Sequence, residues 1–204
     1  MRILSRFALL SSSLFFLLLI GNALQARGVT LFDNYTSVGF QINQGATISG
    51  IDSSIKTYLS PSASFISSQT AYLSDIDAPL SLAYGTNSVS FDLKNNNNGS
   101  PGSTIENWSL NNLPTLGSSF SPQHLSSNGN TLLIGGVTYW LVATPGASDT
   151  WGAWNMVNNT TSPAFAVYGM PLQSQNTPEP GILATLMSMG MAGGGMFLRR
   201  LRKA

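Results

Sequence analysis

Asp75 and Asp77, in the string SDIDAPL, are the residues best placed by type and spacing to do chemistry. Two positions apart on an extended chain, they point to one face of a strand. Two carboxylates flanking a sugar bond are the requirement of a glycoside hydrolase. Carboxylate oxygens also suit calcium. The bland account, favoured here, is a solvated strand end before Pro79, and no Asp repeat at EF-hand spacing supports calcium. His124, in SPQHLSSNG, is the one histidine. It could enter a Ser-His-Asp arrangement, yet no Gly-x-Ser-x-Gly elbow accompanies it. It reads as a loop histidine without a catalytic role. Zinc takes three or four His, Cys or carboxylate ligands, and one His with no Cys argues against such a site. The expectation is therefore no catalytic residue, no metal and no cofactor.

The four tryptophans offer a different chemistry, since indole faces stack on sugar rings. Trp108, Trp151 and Trp154 are the candidate glycan contacts; Trp151 and Trp154 lie beside turn text in PGASDTWGAWN. Core packing is the competing account for Trp108 and the favoured one for Trp140, Trp151 and Trp154. Asn-x-Ser/Thr triplets begin at Asn34, Asn98, Asn107, Asn158 and Asn159, as chance allows in so Asn-, Ser- and Thr-rich a chain.

The elements that would position these side chains are strands. Charged residues are only 8% of the 204, and Gly, Ser, Thr and Asn fill the gap, a mixture that suits short strands and many turns. In NSVSFDLK (87–94), Val89, Phe91 and Leu93 alternate with polar residues, as on a half-buried strand. TIENWSL (104–110) alternates less cleanly, and NNNNGSPG between the two is a strong turn signal. VTYWLVA (137–143) is apolar on both faces, and residues 151–157 and 164–170 read as two last strands. Turn signals recur at Asn43, Gly50, Ser60-Pro61, Ala78-Pro79, Gly85-Thr86, Gly99 to Gly102, Asn128-Gly129, Gly135-Gly136 and Pro145-Gly146. No sustained helical period intervenes. The pattern predicts an all-β fold, an antiparallel β-sandwich or jelly roll of about eight to ten strands.

Charge is segregated along the chain. Between residues 28 and 176 stand two lysines against seven carboxylates, a net of −5, which leaves no electrostatic footprint for nucleic acid. The arginines lie at the ends. Arg2 and Arg6 precede the apolar run Phe7 to Ile20, and small residues follow, as in a secretory signal peptide cut after Ala23 or Ala26. Such a leader implies the Sec translocon and signal peptidase as partners. At the other end Gly181 to Leu198 holds no charge and is long enough for a bilayer core of about 30 Å. Arg199, Arg200, Arg202 and Lys203 follow at once and would stay cytoplasmic. The predicted organisation is a signal peptide (1–26), a β-sandwich domain (27–172), a linker (173–180), a transmembrane helix (181–198) and a basic cytoplasmic tail (199–204).

Pro178-Glu179-Pro180, the uncharged span and the basic cluster occur in order at the C-terminus, and together they resemble the PEP-CTERM sorting signal. That resemblance implies recognition by an exosortase, a Gram-negative source that makes exopolysaccharide, and a transient inner-membrane anchor cut near the triplet. The two prolines fit it, since they hold the backbone extended and open to a processing enzyme. In the middle, SVSFDLKNNNNGSPGSTIENWSL and LLIGGVTYWLVATPGASDTWGAWN resemble the choice-of-anchor exported domains. This second resemblance implies an all-β domain carried with interchangeable sorting signals, and no activity. The functional expectation is a non-catalytic exported protein of the cell surface or extracellular matrix, associated with exopolysaccharide in biofilm. The alternatives are a carbohydrate-binding module and a glycan hydrolase.

Overall fold

The computed structural model describes residues 28–172. The expectations for Ala23, Ala26, the Pro178-Glu179-Pro180 triplet, the 181–198 span and the basic residues Arg199, Arg200, Arg202 and Lys203 lie outside the described residues.

Among the described residues there are twelve strands and no helix. They are β1 (Val29–Asp33), β2 (Phe40–Ser49), β3 (Ser62–Ile66), β4 (Ala71–Ala78), β5 (Leu80–Tyr84), β6 (Val89–Asn97), β7 (Ser100–Leu110), β8 (Gln123–Ser126), β9 (Leu132–Leu133), β10 (Thr138–Pro145), β11 (Trp151–Val157) and β12 (Ala166–Pro171). Three antiparallel sheets result. One has the order β1-β12-β4-β8 with β9 also on β4, one the order β3-β10-β6-β7, and one the order β2-β11-β5. Their inward faces meet in one apolar core, so the fold is all-β and sandwich-like. The compact unit that holds these strands closes at Pro171.

The core is aromatic at its centre. Phe91 meets Trp154 edge-on at 4.9 Å between centroids, and Phe165 stacks on Phe32 at 4.7 Å. Alternation supplies these contacts: Val89, Phe91 and Leu93 of β6 and Tyr139, Leu141 and Ala143 of β10 all point into the core. With no cysteine in the chain, burial of this surface is what holds the domain together.

Several local expectations are corrected. Strands number twelve because short ones such as β8 and β9 carry too little pattern to read. Asn43 is no turn; it lies inside β2, exposed on the strand. The NNNNGSPG stretch is mostly strand. Only Asn98 and Gly99 form the turn, both left-handed with φ of 51° and 84°, and Asn97 faces Ser100 across it. A two-residue loop of that hand matches the twist of the arms, so the ladder runs on to its tip. Trp140 is only half-buried. It stands opposite Ser64 and Lys94 on the face of β10 turned from the core, and its indole N–H donates to Asn96 Oδ1 at 3.0 Å.

Candidate functional site: a carboxylate–imidazole cluster beside an aromatic hollow

Strand β4 is central in its sheet, with β12 on one edge and β8 and β9 on the other. Its pairing with β12 skips at Ser74: Leu73 faces Gly169 and Asp75 faces Tyr168. The bulge lets Leu73 and Ile76 both reach the core while Asp75 and Asp77 turn to the opposite side. Both aspartates are buried, at 9% and 7% exposure. This corrects the solvated strand end: Pro79 does end β4, yet the sheet flanks the carboxylates on both edges.

His124 is equally displaced from its expected loop. It lies in β8, directly opposite Asp77. Its Nδ1 is 2.8 Å from Asp77 Oδ1 and 3.7 Å from Asp75 Oδ1, while the ring itself is about half exposed, at 55%. Ser74 donates its hydroxyl to Asp75 Oδ2 at 2.7 Å. Asp75 Oδ1 has no hydrogen-bond partner and is shielded from solvent. The three side chains each offer a ligand atom, and those atoms lie within 4.8 Å of one another.

Beside this cluster is an open hollow of about 420 Å³, lined by Tyr35, Phe40, Asp77, Pro122, His124 and Tyr168 among others. The aromatic wall comes from a second small apolar cluster of Tyr35, Val157, Ala164, Ala166 and Tyr168, with Phe40 packed on it. The β1–β2 connection holds that wall in place. Asp33 Oδ1 accepts the backbone N–H of Tyr35 at 2.9 Å and of Thr36 at 3.0 Å, and Asp33 Oδ2 accepts the Thr36 hydroxyl. Partial burial pushes the Asp33 carboxyl up, but these three hydrogen bonds outweigh it and hold the group below the ordinary carboxylate range. Gly39 closes the turn at φ +79°, where a Cβ would lie 2.8 Å from the Asn158 amide.

The tryptophans divide. Trp154 is fully buried, and its indole N–H donates to the Ala164 carbonyl at 2.8 Å, so it is a core residue and leaves the set of candidate glycan contacts. Trp108 is half-buried and tied to the Ser126 carbonyl at 2.8 Å; Trp151 is half-buried at the start of β11. Neither lines the hollow.

The geometry limits the chemistry. Asp75 and Asp77 share one strand and one imidazole, and of the two only Asp77 lines the hollow. With one of the two carboxylates at the hollow, the pair is not set on two sides of a sugar bound there. What the cluster can do is hold positive charge, and what the hollow can do is receive a small polar ligand against an aromatic surface. The sequence singles out Asp75 and Asp77 as a pair but reads them as a solvated strand end, offers His124 only as a loop histidine, and gives no sign of Tyr35, Phe40 and Tyr168. Nothing in the string QHLS marks its pairing with a residue 47 positions away.

Compared with known proteins, the chain matches no family model and is similar to no curated protein.

Proposed function

We propose that this chain is a non-catalytic exported protein. It crosses the inner membrane, is held there by its C-terminal segment, and is processed for release or attachment at the cell surface or in the extracellular matrix. The carrying observation is the order of the two ends in the sequence: a basic, apolar, small-residue leader first, and a Pro-Glu-Pro triplet, uncharged span and basic cluster last. In this reading the sandwich is a jelly roll flanked by a signal-peptide helix and a transmembrane helix. Its partners are the Sec machinery, signal peptidase and an exosortase, with exopolysaccharide as its surroundings. The sandwich-like body supports the reading, since a domain without disulfides that relies on its core can travel with separable signals.

Intact-mass measurement of the mature protein from its source cells tests this. The expected species begins after Ala23 or Ala26 and stops near Thr177. Full-length chain in the cytosol, untrimmed at both ends, overturns it.

A second reading is favoured by the hollow: a carbohydrate-binding module in which Phe40 is the half-exposed ring and Asp77 and His124 are the polar partners. A glycan array probed with the full chain, Phe40→Ala and Trp151→Ala separates the surfaces. Loss in Phe40→Ala alone places the ligand in the hollow, loss in Trp151→Ala alone places it on β11, and a flat response from the unaltered chain removes the reading.

A further inference from the structure

We infer that Asp75, Asp77 and His124 form a binding site for a first-row divalent cation of the zinc type. The inference rests on the cluster alone and is independent of where the protein is sorted.

Charge is the first ground. Burying two carboxylates together is costly unless a positive charge compensates them. The sequence has no arginine between residues 28 and 172. Its two lysines in that range are engaged elsewhere, Lys94 with Asp92 and Lys56 with the Asp52 carbonyl. One imidazole supplies at most a single charge against two. A divalent cation would balance the pair.

The second ground is the orphaned atom. Buried carboxylate oxygens are nearly always hydrogen-bonded. Asp75 Oδ1 is shielded from solvent, faces His124 Nδ1 at 3.7 Å and accepts no hydrogen bond, although Ser74 satisfies its neighbour Oδ2. A metal ligand position explains an oxygen kept dry and without a donor.

Geometry is the third. With metal–ligand bonds of about 2.0–2.2 Å, ligand atoms lie about 3.0–3.6 Å apart in octahedral or tetrahedral sites. The nitrogen here is 2.8 Å from one oxygen and 3.7 Å from the other, which bracket that range. All three ligand atoms lie within 4.8 Å of one another, so binding would draw them together by side-chain rotation. On binding, His124 coordinates through the Nδ1 lone pair and any proton on that nitrogen leaves to solvent. An imidazole ligand selects zinc-type ions over calcium and magnesium, which favour oxygen alone. Three protein ligands leave positions open, and Asp77 and His124 line the adjoining hollow, so a further ligand oxygen could enter from there.

The test is calorimetric titration of the untagged full-length chain with Zn²⁺ alone, beside Ca²⁺ and Mg²⁺. One Zn²⁺ per chain is expected, bound more tightly than either alkaline-earth ion. A thermal upshift of about 5–10 °C should appear at a hundredfold excess over Kd. Co²⁺ should give visible absorption bands that His124→Ala abolishes. His124→Ala and Asp75→Asn should each weaken Zn²⁺ by about tenfold or more. His124 is half exposed, so its variant is expected to keep the fold and carries the test if Asp75→Asn does not. Absence of saturable zinc binding, or binding equal in His124→Ala and the unaltered chain, overturns the inference. So does Ca²⁺ binding more tightly than Zn²⁺.

Discussion

Two buried carboxylate sites in this molecule are built in opposite ways. Glu106, on β7, is 9% exposed and has both oxygens supplied with donors. Oε2 accepts the hydroxyls of Ser127 at 2.9 Å and Thr131 at 2.7 Å, and Oε1 accepts the Asn128 backbone N–H at 2.8 Å. The β8–β9 loop is thus folded around one anion, and the anion's need for donors is met from within the chain. Asp75, on β4, is buried to the same degree, sits beside a second carboxylate, and keeps one oxygen without a donor. A satisfied buried charge is a structural device; a buried carboxylate oxygen left without a donor, as at Asp75, is one that a ligand would complete. Burial alone would not have told them apart.

The sharpest way to break that contrast is to delete the structural member. Glu106→Ala leaves two hydroxyls and a backbone N–H without their acceptor, and Thr131 is itself buried. A loss of about 2–4 kcal/mol is expected, read as a Tm fall of about 4–12 °C. An unchanged melting curve would show that the loop does not depend on Glu106.

A smaller and opposite effect is expected at the other site. In metal-free buffer, Asp75→Asn removes one of two adjacent negative charges and adds an amide donor. Chemical denaturation should find the variant as stable as the unaltered chain or up to about 1 kcal/mol more stable. Destabilisation by more than about 2 kcal/mol would place Asp75 with Glu106, as a carboxylate the fold requires.

The smallest effect belongs to Asp33, an exposed carboxylate that is nonetheless well hydrogen-bonded. Its folded-state pKa is lowered. Its contribution is therefore present above the ordinary value of about 3.9 and is lost as pH falls through the lower folded value. Solvent screening limits it to about a few tenths of a kcal/mol. Asp33→Asn should flatten the acid limb of stability against pH below about 4, with little change at neutral pH. Parallel acid limbs in the two proteins would remove Asp33 as the tie that holds the Tyr35 turn.

Much of the fold was legible because its signals are local. Alternation in NSVSFDLK and the doubly apolar run around Leu141 mark β6 and β10 whatever surrounds them, since side chains on a strand alternate by geometry. The Asn98-Gly99 turn is visible for the same reason, though four asparagines in a row disguised how far the strands run. β4 was harder. Its Ser74 bulge breaks the period of two, so that AYLSDIDA reads as mixed text although it is a central strand.

By itself the sequence determined the all-β class, the turn-rich rhythm, the absence of disulfides and the segregation of charge to the two ends, because composition and near-neighbour spacing suffice for each. It also placed Asp75 and Asp77 on one face. Only the tertiary structure decided that they are buried, that His124 lies across from them, that Trp154 is core and that Tyr35, Phe40 and Tyr168 surround a hollow. Those facts depend on which strands pair and in what register. Register is fixed by the packing of the whole core, and a residue 47 positions distant leaves no mark in the local text.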